Sequence, residues 1–217
     1  MRLQCAIFDM DGTLLDSMHI WNHLGSDLLR AQGYVPAPDL DEQLKVMSLR
    51  QSAEHCKRVY GLPQSVEEIE AQVTERVEEF YHHHVAAKPG VEQFLSLLKM
   101  QGVWMYVATA TDRALAEAAL RHAGIADYFR GVVTCGEVGQ GKDSPEIYER
   151  ALRRLQGNKR DTVVFEDALH AILTAKAAGF RVAAVYDPSA EAEQGEIRGA
   201  AETYIRSYED LFTAAAT

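Results

Sequence analysis

The sequence predicts an α/β protein built on a parallel sheet, with a helical segment inserted directly after the first strand. Short apolar runs recur along the chain, and helix-like stretches with apolar residues three or four apart separate them. One long stretch near the N-terminus interrupts this alternation with helical patterns alone.

The first apolar run is 3–8 (LQCAIF), which ends at Asp9. Similar runs follow at 103–109 (VWMYVAT), 131–134 (GVVT), 162–165 (TVVF) and 182–185 (VAAV). Amphipathic spacing predicts helices between them over 91–100, 113–123, 145–155 and 168–178. Residues 17–85 break the rhythm, with helical patterns at 18–32, 40–47, 52–60 and 65–84 and no convincing strand. Gly61-Leu62-Pro63 closes the third of these, and Ser65 with Glu68 has the spacing of a capping box at the start of the fourth. Lys88-Pro89-Gly90 marks the return to the alternating pattern. The chain therefore divides into a core, 1–16 with 86–217, and a helical subdomain, 17–85. No internal repeat is visible, and the Ala-rich stretch 213–217 is expected to fray.

Composition narrows the functional classes. The 217 residues suffice for a substantial core, and 47% of them are apolar, an ordinary share for a globular protein. Lys and Arg total 22 against 32 Asp and Glu, a formal charge of −10 that argues against general affinity for nucleic acid or anionic membrane. No apolar run approaches the ~18 residues of a membrane span, and the N-terminal residues lead into a strand without a signal-peptide pattern. The expectation is a cytoplasmic, soluble protein, and a monomer, because no long apolar stripe is left over once the core is assigned. Cys5, Cys56 and Cys135 form no CxxC pair and read as small core residues.

The ends of the apolar runs hold the chemistry. After the first run come Asp9 and Asp11, after the second Thr109 and Thr111, beyond the third Lys142, and after the fourth Glu166 and Asp167. In a parallel sheet these gather at one edge, outside the carboxyl ends of the strands where ligands bind. So many carboxylates call for a hard cation, and Mg²⁺ suits them because it takes oxygen ligands and leaves room in its shell for water or substrate phosphate. The hydroxyls and the ammonium suit phosphate oxygens.

These motifs, "FDMDGT", "YVATAT", "GKDSPEIY" and "VVFEDALHAILTAKAAG" in that order, resemble those of the haloacid dehalogenase-like superfamily over nearly the whole chain. The resemblance implies a Rossmann-like core with a small helical cap, as in the branch containing β-phosphoglucomutase and many small-metabolite phosphatases. By matching position it implies that Asp9 is the nucleophile and a metal ligand. Asp11 would be the general acid and base, with its backbone carbonyl on the metal. Thr109, Ala110 and Lys142 would hold the phosphoryl group, Asp167 would ligate Mg²⁺, and Glu166 would do so directly or through water. Since attack at carbon needs no acid at the second aspartate, Asp11 favours phosphate-ester chemistry and a small phosphorylated metabolite as partner.

Other readings are weaker. Gly136 to Lys142 nearly spells a nucleotide-binding P-loop, but Asp143 stands where Ser or Thr is required. His19 with His23, and His82-His83-His84, lack a closed ligand set and read as exposed helix residues. His19 and Trp21 are the exceptions, since they begin the helical segment close to "DGT" and could line the substrate. Arg50, in "VMSLRQS", reads either as a helix-start arginine in solvent or as a turn residue reaching a second phosphate or a carboxylate. A mutase that returns the phosphoryl group to a sugar is the runner-up. The histidine such mutases use corresponds by spacing to Trp21, and "SLRQS" carries one more residue before its arginine, so hydrolysis is favoured. A phospho-aspartate signalling module, from another class, would not need so large a helical lid.

Overall fold

A strand covered on both faces has no use for polar alternation, and β1 (Cys5–Phe8) is apolar at every position and fully buried. In the computed structural model, which describes residues 3–44, 47 and 49–213, β1 lies inside a six-stranded sheet. The other strands are β2 (Trp104–Thr109), β3 (Val132–Thr134), β4 (Thr162–Glu166), β5 (Arg181–Val185) and β6 (Thr203–Ile205). Their order is β3-β2-β1-β4-β5-β6, and all pairings are parallel. Phe8 faces Val107 on one side and Phe165 on the other, so the chain leaves β1 and β4 at the same level. The connections from β1 and from β4 diverge to opposite sides of the sheet, which opens a crevice at their carboxyl ends.

Between β1 and β2 the chain forms α1 (Met18–Ala31), α2 (Leu40–Leu44), α3 (Leu49–Tyr60), α4 (Val66–His83) and α5 (Val91–Met100). Leu28, Leu29, Leu40, Cys56, Leu62, Ile69 and Val73 make an apolar cluster contributed wholly by the first four of these and their links. The predicted capping box opens α4: Ser65 Oγ accepts from Glu68 N at 3.1 Å, and Glu68 Oε2 accepts from Ser65 N at 2.7 Å. The two crossings into this segment lie side by side. Asp16 N donates to Ala86 O at 3.0 Å and Lys88 N to Leu14 O at 2.8 Å, while Lys88 Nζ reaches the buried Asp187 at 2.7 Å.

The remaining helices are α6 (Arg113–His122), α7 (Cys135–Val138), α8 (Glu146–Leu155), α9 (Leu169–Ala177), α10 (Gln194–Ala200) and α11 (Asp210–Thr213). They and α5 cover both faces of the sheet. Ala6 and Phe8 pack with Phe94 and Leu95 of α5 and Ala116 of α6, while Cys5 and Ile7 pack with Tyr148 of α8, Ile172 of α9 and Ile197 of α10. The period-two alternation of β1 thus feeds two cores. Phe8 stacks on Phe165 at 4.3 Å and meets Phe94 and Phe129 edge-on, which fixes the end of β1 from several sides.

Several expectations need correction. The helices α7, α10 and α11 and the strand β6 are additions, β1 begins at Cys5 rather than residue 3, and α3 begins at Leu49 rather than Ser52. The predicted 40–47 helix is described only to Leu44, and residues 45, 46 and 48, like 214–217 of the Ala-rich tail, lie outside the described residues. Cys135 starts α7 partly exposed, whereas Cys5 and Cys56 are buried as expected. No helix among the described residues is long and apolar enough to cross a membrane.

Candidate active site

The loop leaving β1 is held by its own backbone, with Leu14 N and Leu15 N both donating to Met10 O at 2.9 Å. Gly12 sits in this loop at φ +78°, and a Cβ there would come within 2.4 Å of Asp167 Oδ2, so glycine lets the loop lie against the acidic turn after β4. Asp9 N donates to Phe165 O at 2.9 Å, which joins the two strand ends. Asp9, Glu166 and Asp167 are buried, and each offers a carboxylate oxygen within 4.8 Å of the others.

Lys142, with its side chain only 8% exposed, inserts its ammonium between Asp9 and Glu166; it bonds Asp9 Oδ1 directly and Glu166 Oε1 at 2.6 Å. Tyr148 Oη donates to the same Glu166 Oε1 at 2.7 Å, and Thr13 Oγ1 donates to Asp167 Oδ1 at 3.0 Å. Glu166 Oε2 is buried without a hydrogen-bond partner among the described residues. An unsatisfied buried charge of this kind costs about 1–3 kcal/mol or more, so the oxygen is suited to a ligand that brings positive charge. Three hard oxygen donors, one of them otherwise unpartnered, fit Mg²⁺.

Asp11 is turned away from this cluster. Its Oδ1 accepts from Ser17 Oγ and from Tyr81 Oη, both at 2.6 Å, and its Oδ2 accepts from Thr111 Oγ1 at 2.7 Å. Tyr81 belongs to the last turn of α4, and Trp21 Nε1 donates to its hydroxyl at 3.1 Å. The second aspartate is thus fixed by hydroxyl groups from the β1 loop, from the loop after β2 and from the helical segment.

Burial and the neighbouring carboxylates dominate the electrostatics. Burial raises Asp9 to a pKa of about 6, with Glu166 adding to the rise and Lys142 opposing it. Burial and then the charge of Asp9 raise Asp11, and burial with the charges of Asp9 and Glu166 raises Asp167 well above the usual carboxylate range. Burial works against the charged form of Lys142, but Asp9 and Glu166 outweigh it and raise its pKa. For a carboxylate whose folded pKa lies above its unfolded 3.8, the folded state binds more protons between those values, so stability falls as pH rises through that window. The metal-free protein is expected to melt several degrees higher at pH 5 than at pH 7.5, with the gap narrowing when Mg²⁺ is added. Equal melting temperatures at the two pH values, measured without metal by calorimetry, would contradict the strained carboxylate cluster.

The family model for haloacid dehalogenase-like hydrolases matches residues 6–185, from the first strand to the end of β5. The chain belongs to this family. Among its relatives, a phosphorylated carbohydrates phosphatase of Thermotoga maritima is 28% identical over 82% of this chain and 82% of its own length. A validoxylamine A 7′-phosphate phosphatase of Streptomyces hygroscopicus subsp. limoneus is 32% identical over 80% of this chain and 81% of its own. In fold, the crystal structure of CbbY from Rhodobacter sphaeroides in complex with phosphate superposes with a TM-score of 0.74, at 26% identity over 96% of each chain.

In this haloacid dehalogenase-like hydrolase, Asp9, Lys142, Glu166 and Asp167 come together as a single cluster. Thr109 is fully buried at the end of β2, where its hydroxyl accepts from Thr111 N at 3.1 Å, and Ala110 follows it on the surface. Thr111 spends its hydroxyl on Asp11, and Asp112 occupies the capping position of α6 without a side-chain bond. His19 is exposed and packs edge-on against Phe80, and Trp21 is 41% exposed beside Tyr81.

Arg50 requires a correction, because the earlier start of α3 places it on the first helical turn rather than in an inter-helix turn. Its guanidinium faces Glu67 at 3.1 Å, Glu54 at 3.4 Å and Glu70 at 3.6 Å, so it is held by carboxylates of the helical segment and not by the cluster around Asp9. His82, His83 and His84 are exposed at the end of α4, as expected. Ser17, Tyr81, Thr13 and Tyr148 were not singled out by the sequence. Thr13 and Tyr148 do close two of the motif strings, and Tyr81 ends the i, i+4 series Ile69, Val73, Val77 that turns into the protein.

Proposed function

We propose that the protein is a Mg²⁺-dependent phosphatase of small phosphorylated metabolites, sugar phosphates foremost, working through an aspartyl-phosphate on Asp9. Relatives named as phosphatases of phosphorylated carbohydrates and of validoxylamine 7′-phosphate support the substrate class. The observation that carries the reading is the separation of the two aspartates into different surroundings: Asp9 beside Lys142 and two carboxylates, Asp11 apart from them among three hydroxyls. Two acids pushed into different roles are what stepwise phosphoryl transfer needs.

In this reading Asp9, Glu166 and Asp167 hold the ion with the backbone carbonyl of Asp11. The ion, when bound, neutralises charge on the phosphoryl oxygens. Lys142 leaves its present partners in part to meet a phosphoryl oxygen, and Thr109 and Ala110 complete the cradle. A carboxylate oxygen of Asp9 attacks phosphorus, the ester P–O bond breaks, and Asp11 gives its proton to the departing alkoxide. Asp11, now ionised, takes a proton from the water that attacks the aspartyl-phosphate, which releases phosphate and restores Asp9. Its upward-shifted pKa favours the protonated form that the first step requires. Residues 17–85 act as the cap, whose closure excludes bulk water and whose His19 and Trp21 face the substrate.

The test is phosphate release from a panel of phosphorylated metabolites, with and without Mg²⁺. Metal-dependent release is the expected result. Conversion of β-glucose 1-phosphate to glucose 6-phosphate with little free phosphate would transfer the assignment to a mutase. A long-lived phospho-aspartate without turnover would indicate signalling.

Tyr81→Phe probes the orientation of Asp11. It removes one donor at 2.6 Å that stabilises the carboxylate, so the pKa of Asp11 rises further. The expected result is a kcat lowered about tenfold and a pH–rate profile displaced toward higher pH. An unchanged profile would show that Tyr81 does not govern Asp11 during turnover.

A further inference from the structure

The two oxygens of Glu166 have opposite surroundings. Oε1 receives both the Lys142 ammonium at 2.6 Å and the Tyr148 hydroxyl at 2.7 Å, and Oε2 is buried with no hydrogen-bond partner among the described residues. The two donors differ in what they can do. Lys142 sits on a flexible stem and is shared with Asp9, so it is free to turn toward another anion. Tyr148 cannot turn: it is fully buried in the first turn of α8, its ring meets Phe180 edge-on at 6.2 Å, and it packs among Ile147, Ala151 and the sheet. Its hydroxyl is therefore a fixed clamp on one oxygen of the carboxylate.

We infer that Tyr148 is a positioning residue for the divalent cation: by occupying Glu166 Oε1 from a rigid ring, it commits Glu166 to bind the ion through Oε2 alone. The inference rests on the proposed metal-dependent function, and it adds a consequence for ion choice. Mg²⁺ demands a tight octahedral shell and takes carboxylates one oxygen at a time, whereas Ca²⁺ accepts more oxygens and readily binds a carboxylate through both. A carboxylate with one oxygen already spoken for suits the smaller ion and denies the larger one a ligand. Tyr148 would then select for Mg²⁺ over Ca²⁺ without touching either ion.

The experiment is calorimetric titration of the full-length, metal-free protein with MgCl₂ and separately with CaCl₂, for the wild type, Tyr148→Phe and Phe180→Leu. Tyr148→Phe keeps the ring and removes only the hydroxyl; Phe180→Leu loosens the packing and keeps the hydroxyl. The expected result is that Tyr148→Phe weakens Mg²⁺ binding several-fold while Ca²⁺ binding is unchanged or tighter, so the ratio of the two affinities moves toward Ca²⁺ by about fivefold or more. Phe180→Leu should leave that ratio within twofold of the wild type, because burial and packing on Ile147, Ala151 and the sheet still hold the ring and its hydroxyl in place. A ratio unmoved by Tyr148→Phe, whether both affinities fall together or neither changes, overturns the inference. So does a wild type that binds no Mg²⁺. Should Tyr148→Phe fail to fold, Tyr148→His in the same titrations retains a buried ring with a donor, and a wild-type ratio there with a shifted ratio in Tyr148→Leu supports the clamp, while equal ratios in both overturn it. Because the readout is ion binding, a wild type that shows this selectivity yet hydrolyses no phosphoester would sink the phosphatase reading and leave the assignment of Tyr148 standing.

Discussion

Asp9→Asn is expected to lower kcat by about 10⁴-fold or more while the folded state is kept or strengthened. With Asp9 as the proposed nucleophile the loss follows from chemistry, because an amide oxygen is a poor nucleophile toward phosphorus. The gain in stability follows from electrostatics. Asp9 is buried, its pKa is raised to about 6, and its charge raises both Asp11 and Asp167. Removing that charge relieves like-charge repulsion, although Lys142 loses one of its two anionic partners. The measurement is steady-state phosphate release on the best substrate of the panel, alongside thermal melts in EDTA. Turnover within tenfold of the wild type would dismiss Asp9 as the nucleophile.

Lys142→Met carries the second large effect. Its ammonium is the cation between two buried carboxylates, and its removal leaves Asp9 and Glu166 facing each other with one partner fewer. Breaking a buried pair by deleting one member costs about 3–5 kcal/mol, which for a chain of this size lowers the melting temperature of the metal-free protein by about 10 °C. Mg²⁺ is expected to restore much of that loss, because a divalent ion compensates the same carboxylates. Activity is expected to fall by about 10²–10³-fold even at saturating Mg²⁺ if Lys142 is, as proposed, a donor to the phosphoryl oxygens. Melts in EDTA and in Mg²⁺, together with kcat/KM, separate the two effects. A variant as stable as the wild type without metal would mean that Lys142 is not what holds the cluster together.

The parts of this site that could be read from the sequence are those placed by the backbone. An all-apolar run that stops at a carboxylate announces a buried strand and the group at its end, which is how Asp9, Thr109 and Glu166 with Asp167 were found and why the parallel sheet was expected. Groups placed by tertiary packing were not legible. Tyr81 and Tyr148 occupy apolar-stripe positions of their helices, where an aromatic ring explains itself as core and the hydroxyl at its tip gives no sign of its partner. Arg50 stayed open between a helix-start arginine in solvent and a turn residue because three positions of helix register decide whether it faces Glu54 and the acids of α4 or projects from a turn. The strand β6 escaped notice because it is three residues long, at an edge, with only Ile205 buried.

The placement of β1 has a consequence for how this chain is made. As the polypeptide leaves the ribosome, β1 emerges first among the strands, yet β4, which lies against it and ends at Glu166, is synthesised last but two among them. Thr13 and Asp167, bonded in the finished protein, are 154 positions apart. Contacts of such range form slowly because loop closure must precede any reward. The helical segment is different, since α1 to α4 share an apolar cluster of nearby residues and can collapse while the sheet is still incomplete. During synthesis the helical segment is therefore complete while β1 still lacks its later neighbours, an interval of exposed apolar surface of the kind that favours aggregation.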